Sequence, residues 1–326
     1  MSKGLRSFIL LVTGIIMISI ITSCSTNDAF MWAFKKVSSF SSTQGNIGEW
    51  GTTISEVDLI GKEMIEVPGY PEAEVFLYEK KDGVEKKPLI IFIHGGGWCI
   101  GSAAGIEWYA KLLASNGYIV ANVDYSLAPE YKYPVSTIQL VESVNYLHEK
   151  SEKYGYDRDS IFIGGNSAGA HLSSQIGAIF TNEEYAKKVG AETRVPKESI
   201  RGLILYNGVY NFDTVGECKF PFWKQLVWGY TGKKDYKKYE RLDELSTIKH
   251  ITPDYPAVFI TVGDSDPLEP QTYEFIEKLE DNNVDYDALL WTGTKAKLWH
   301  DYIYDQNTEE AVKAYEETLN FIEKHK

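Results

Sequence analysis

The sequence predicts an α/β protein built on one mostly parallel, doubly wound sheet with helices on both faces. Two observations carry that reading. Residues 89–93 (Leu-Ile-Ile-Phe-Ile) and 118–123 (Tyr-Ile-Val-Ala-Asn-Val) are nearly unbroken apolar runs, as strands buried on both faces require. Segments of helical spacing alternate with such runs along the chain, the pattern of successive βαβ units. A length of 326 residues suits one large domain of this kind.

The elements follow in order. Residues 74–78 form an early strand, closed by an Asp82-Gly83 turn, and the 89–93 strand comes next. A helix over 109–115 leads into the 118–123 strand, and helical spacing runs from 135 to 153. A short strand at 161–163 ends in Gly164-Gly165. Further strands fall at 203–205, 257–262 and 286–291, with helices over 269–279 and 309–324. Residues 211–249 break the rhythm with aromatic and Lys residues, and read as an insertion over the carboxyl edge of the sheet. Within it, residues 233–238 (Lys-Lys-Asp-Tyr-Lys-Lys) read most simply as a solvated helix face.

The N-terminus carries a different message. Lys3 and Arg6 precede an apolar run over residues 8–21, which is short for a bilayer span of ~20 apolar residues. The run closes with Ile21-Thr22-Ser23-Cys24, which resembles the lipobox of bacterial lipoproteins. That implies a signal peptide over 1–23, and export with anchoring to the cell membrane through a lipidated Cys24. An uncleaved anchor helix is the alternative. Residues 24–69 then read as a tether and N-terminal cap segment, and 70–326 as the main folded domain. Within the tether, residues 30–34 (Phe-Met-Trp-Ala-Phe) are too apolar for a solvated linker and suit a short helix docked on the body of the fold.

Composition removes several function classes. Lys+Arg 33 against Asp+Glu 46 gives a net charge of −13, opposed to a nucleic-acid partner. Cys24, Cys99 and Cys218 are too few for a disulfide framework and match no zinc spacing, so no metal is expected.

Two motifs point to chemistry. Gly165-Asn166-Ser167-Ala168-Gly169 sits between a strand and a helical pattern, the setting of a G-x-S-x-G elbow that lifts a serine Oγ above the sheet. Ser167 is the expected nucleophile, at a helix N-terminus that favours developing negative charge. His94-Gly95-Gly96-Gly97-Trp98 follows another strand, and its bare glycine amides can face an oxyanion. A flexible loop or a phosphate cradle are alternatives for it, although the Lys-Ser/Thr of a P-loop is missing.

These two motifs, with Asp124-Tyr-Ser-Leu-Ala-Pro-Glu130 between them, resemble the hormone-sensitive-lipase branch of the α/β-hydrolases, mostly carboxylesterases. The resemblance spans about residues 70–326. It implies an eight-stranded sheet with a cap, no cofactor, a Ser–Asp–His triad, and an oxyanion hole from the amides of Gly96, Gly97 and Ala168. His94, Gly95, Gly165 and Gly169 are the motif positions around them. Asn166 departs from the branch, which usually has an acidic residue there.

For the base, the chain offers six histidines. His94 belongs to the glycine loop, His148 and His171 lie on helices, His250 precedes a Pro-containing turn, and His325 is near the end. His300, between the last strand and the last helix, remains, and it matches the family's base. For the acid, Gly263-Asp264-Ser265-Asp266-Pro267-Leu268 supplies two aspartates after the 257–262 strand. The family's Asp-Pro-Leu implies Asp266. Pro267 biases that residue toward an extended backbone, leaving Asp264 to bond nearby amides.

The expected protein is therefore a membrane-anchored serine carboxylesterase for small-molecule, short-acyl esters. A peptidase or amidase on the same fold, and a catalytically silent binding lipoprotein, are the rival readings.

Overall fold

The computed structural model describes residues 30–31, 34–36, 50–84 and 86–326. The signal-peptide and Cys24 readings lie outside the described residues. Eight strands form one sheet: β1 (Val57–Ile65), β2 (Ala73–Lys80), β3 (Lys87–Ile93), β4 (Ile119–Asp124), β5 (Tyr156–Asn166), β6 (Ile200–Tyr206), β7 (Ala257–Val262) and β8 (Tyr286–Leu290). Their order is β1-β2-β4-β3-β5-β6-β7-β8. β2 pairs antiparallel with both β1 and β4, and every other pairing is parallel. The predicted mostly parallel sheet of eight strands is what forms.

Both faces of the sheet are covered, for the reason its apolar runs implied. In β3, Leu89, Ile91 and Ile93 join one core while Ile90 and Phe92 join the other, since strand side chains alternate. Helices α1 (Glu107–Ala114), α2 (Val135–Glu149), α3 (Ala168–Thr181), α4 (Trp223–Thr231), α5 (Glu269–Asp281) and α6 (Glu309–His325) supply the layers. Ile138 and Val144 of α2, Leu172 and Ile176 of α3, and Phe275 of α5 cover the first face. Leu112 and Leu113 of α1 with Tyr315 and Phe321 of α6 cover the second. Truncating a fully buried Ile such as Ile91 to Ala costs about 2–5 kcal/mol in cores of this density.

Three sequence expectations need correction. The sheet begins at Val57, inside the stretch read as tether up to 69. β1 is an edge strand whose Asp58 and Lys62 are exposed and whose Glu63 bonds Tyr146, Lys153 and Tyr154, so it shows no apolar run. The helix expected over 135–153 ends at Glu149, and a separate turn of helix at Ser151–Tyr154 stops at Gly155, whose φ is +78°. The lysines at 233–238 lie on exposed bends and a 3-10 turn, Tyr236–Lys238, not on a helix face. They are solvated all the same, paired as Lys233–Glu240 and Lys238–Asp235.

The insertion between β6 and β7 is no separate lobe. Phe212, Val215, Trp223, Leu226, Val227 and Tyr230 are buried in the same core as β3 and β5. Phe30 and Met31 are buried against it, and Phe30 and Phe34 pack on Phe222. The apolar N-terminal stretch is thus docked on the body, and Lys35 adds an ion pair to Glu130. Among the described residues, no helix is long and apolar enough to cross a membrane.

Candidate active site

The chemistry-bearing residues gather where parallel strands end, the position at which open α/β sheets bind ligands. His94 follows β3, Ser167 follows β5, Asp264 and Asp266 follow β7, and His300 follows β8.

Ser167 occupies the turn between β5 and α3 with φ +53° and ψ −118°. A non-glycine residue held there stores on the order of 1–3 kcal/mol of strain, which the surroundings must offset. They do so by bonding both sides of its peptide: Ser167 N donates to Tyr206 O at 2.8 Å, and His171 N donates to Ser167 O at 3.0 Å. The flanking glycines answer to close approach. A Cβ on Gly165 or Gly169 would collide with the Ile93 carbonyl at the end of β3. The elbow therefore sits directly on the start of the glycine loop.

That loop is a tight turn, closed by Cys99 N and Ile100 N, both donating to Gly96 O at 3.1 Å. Gly96 has φ +112°, and a Cβ there would collide with the Ile100 carbonyl, so only glycine fits. Among the described residues, no hydrogen bond takes up the amides of Gly96, Gly97 or Ala168. Amides left unpaired inside a fold are costly unless something else accepts from them, and these lie in the loop after β3 and at the first residue of α3.

The loop is anchored from behind. The His94 Nδ1–H donates to Gly95 O at 2.7 Å, its ring stacks on Tyr125 at 4.2 Å, and burial favours the neutral imidazole. Trp98 stacks on Tyr230 at 4.7 Å, and its Nε1–H donates to His171 Nδ1 at 3.1 Å. His171 in turn donates from Nε2 to Leu245 O at 2.9 Å, which sets its tautomer. Burial pushes His171 down to about 4, so it stays neutral and packs in the core.

His300 and Asp266 meet. The imidazole Nδ1 lies 2.7 Å from Asp266 Oδ2, and the carboxylate side chain is fully buried. Its other oxygen accepts from Leu268 N at 2.8 Å, the turn bond that Pro267 helps to pose. Asp264 points elsewhere: it accepts from Leu298 N at 2.7 Å and Lys297 N at 3.2 Å, stapling the loop that carries His300. Of the two aspartates, Asp266 is the one that meets the imidazole, and Asp264 bonds nearby amides. Phe220 of the insertion sets its ring edge-on to His300, with centroids 4.8 Å apart. No hydrogen bond joins Ser167 Oγ to His300, and His300 Nε2 instead faces Asp301 Oδ1 at 3.8 Å. Catalytic hydrogen bonds of unliganded sites are often long and tighten around substrate.

Burial disfavours a charge on His300, but the Asp301 charge and the bonded Asp266 outweigh it and push the imidazole up to about 9. Sequence reasoning missed Asp301 and Phe220 as neighbours of His300. Only the adjacency of Asp301 in the chain hinted at the first, and nothing hinted at the second. Among the described residues, no group of three His, Cys, Asp or Glu side chains is placed to hold a metal ion.

A strained serine in the turn between strand and helix, on a mostly parallel eight-stranded sheet, defines the α/β-hydrolase class. Within that class the chain belongs to the BD-FAE family, whose model matches residues 75–279. It is 28% identical over 214 residues to Esterase LipC of Mycobacterium tuberculosis, a match covering 62% of this chain and 51% of LipC. It is 34% identical over 117 residues to Probable carboxylesterase 6 of Arabidopsis thaliana, covering 33% of this chain and 35% of that protein. The chain thus spans about half the length of the first of these relatives and about a third of the second. Among solved structures, Esterase B from Lactobacillus rhamnosis aligns with a TM-score of 0.74 at 20% identity, over 91% of this chain and 95% of that one. A bacterial heroin esterase aligns at 0.71 and 21% identity, over 95% and 92%. At such identity these likenesses speak for the fold.

Proposed function

We propose that this chain is a serine carboxylesterase working through Ser167, His300 and Asp266. The observation that carries the reading is the 2.7 Å bond from His300 to a fully buried Asp266 carboxylate, on the same sheet edge as the strained Ser167. In the proposed reaction Ser167 Oγ attacks the ester carbonyl while His300 Nε2 takes its proton. Asp266 holds the Nδ1–H tautomer and stabilises the imidazolium. The amides of Gly96, Gly97 and Ala168 receive the tetrahedral oxyanion. His300 then gives its proton to the departing alcohol, and water, activated by the same imidazole, releases the acid and restores Ser167. The LipC and carboxylesterase likenesses support esters as the substrate class. A fluorophosphonate probe tests the reading: it is expected to label Ser167, and an unlabelled, folded protein would refute it.

The acyl group is proposed to be short. A Cβ on Gly97 would stand 2.9 Å from both Leu226 methyls, so α4 closes down on the glycine loop, and Phe220 narrows the side at His300. Each buried CH₂ adds ~0.8 kcal/mol of binding while there is room for it. Along a series of nitrophenyl esters, kcat/KM is therefore expected to rise with each added CH₂ and then collapse where the pocket closes, at roughly six acyl carbons or fewer. A steady rise through long-chain esters would show an open groove instead.

Attachment to the membrane through Cys24 is part of the same proposal, supported by the Ile21-Thr22-Ser23-Cys24 sequence. Two or more acyl chains hold a protein stably where one does not. Mass spectrometry of the protein from cells is expected to find Cys24 first and diacylglyceryl-modified, with Cys24→Ser abolishing both. Wild type that retains residues 1–23, or that is freely soluble, would contradict it.

A further inference from the structure

We infer that Asn166 and Asp301 are a positioning pair that ties the nucleophile elbow, the glycine loop and the base loop together, with Asp301 turning a second carboxylate toward the base. The inference rests on the proposed roles of Ser167 and His300.

Asn166 is the last residue of β5 and buried, immediately before Ser167. Its Oδ1 accepts from Gly95 N at 3.0 Å and from the Tyr304 hydroxyl at 2.7 Å. Its Nδ2 donates to Asp301 Oδ1 at 2.9 Å. This amide has one workable orientation, because a flip would set its NH₂ against the Gly95 N–H and its oxygen against a carboxylate. One side chain thus grips the glycine loop, the base loop and the turn after it. Asp301 reaches the bond from φ +62°, a conformation uncommon for a non-glycine residue that its surroundings must hold.

The same Asp301 oxygen lies 3.8 Å from His300 Nε2, the atom that must accept the serine proton. The charged groups facing the imidazole are Asp266, from the loop after β7, and Asp301 on its own turn. Phe220, from the insertion, packs on the ring without charge. Two carboxylates on opposite nitrogens stabilise the imidazolium that forms during acyl transfer, and both hold the resting ring protonated to higher pH. The base works only when neutral, so the acidic limb of the rate profile belongs near pH 9, and removing the Asp301 charge must move it down. An aspartate at 166 would still accept from Gly95 and Tyr304 but would repel Asp301. Exchanging the two residues restores a donor facing a carboxylate.

The experiment measures kcat and KM for nitrophenyl acetate against pH on the full chain, for wild type, Asp301→Asn, Asn166→Asp and the exchanged double variant. Asp301→Asn removes a part-exposed charge and is expected to fold, with its acidic limb about one pH unit or more lower and KM little changed. Asn166→Asp is expected to lose about tenfold or more in kcat, the 1.4 kcal/mol equivalent, and the double variant to recover most of it. An unmoved limb in Asp301→Asn overturns the inference, as does a double variant no better than Asn166→Asp. Should Asn166→Asp not fold, the limb of Asp301→Asn decides alone. Wild type that neither hydrolyses the ester nor takes the fluorophosphonate would instead refute the esterase reading itself, and this inference with it.

Discussion

Ser167→Ala is expected to abolish acyl-enzyme formation and to lower kcat on the order of 10⁶-fold, the scale at which a serine-triad nucleophile has been removed elsewhere. That factor corresponds to about 8 kcal/mol of barrier. The loss should be chemical and not structural. Alanine keeps the Cβ and inherits the same φ of +53°, and the two backbone hydrogen bonds that hold the turn, to Tyr206 O and from His171 N, do not involve the hydroxyl. The variant should therefore melt near the wild-type temperature. Burst kinetics with a nitrophenyl ester, read beside a melting curve, checks both halves. Near-normal hydrolysis by a folded Ser167→Ala protein would end the serine mechanism.

The second large effect is expected at Asp266. Asp266→Asn should lower kcat by about 10⁴, as the corresponding change did in a well-studied triad, equivalent to about 5 kcal/mol. The physical cause is tautomeric. An asparagine amide placed 2.7 Å from Nδ1 can donate to that nitrogen, which moves the ring proton to Nε2, where it blocks acceptance from serine. Asp264→Asn is the matched control. It retains an oxygen for the Leu298 amide, and it should keep most activity while lowering the melting temperature. Kinetic losses in the opposite order would move the acid to Asp264 and leave the rest of the mechanism standing.

The parts of this protein that could be read from sequence are those whose cause is local. Residues 89–93 form a strand buried on both faces because every side chain in the run is apolar, and the structure leaves each of them without exposure. The elbow was legible because a turn this tight admits only small residues at 165 and 169, whatever the rest of the chain does. His300 could be reached by asking which histidine follows the last strand. β1 was not legible, since an edge strand is held by hydrogen bonds to β2 and needs no apolar run, and its charged Asp58, Lys62 and Glu63 read like a tether.

Sequence by itself determined the α/β alternation, the serine between strand and helix, and a glycine loop with its amides bare, because these follow from backbone sterics and from patterns a few residues long. Tertiary structure alone decided which of two aspartates, separated by one residue, meets the imidazole: Oδ2 of Asp266 faces His300 while Asp264 turns to the Leu298 amide. It also decided that Asn166 and Asp301, 135 positions apart, share a hydrogen bond. Such pairings depend on how β5 and the loop after β8 are carried to one edge of the sheet. Packing of the whole core sets that arrangement, and no local propensity encodes it.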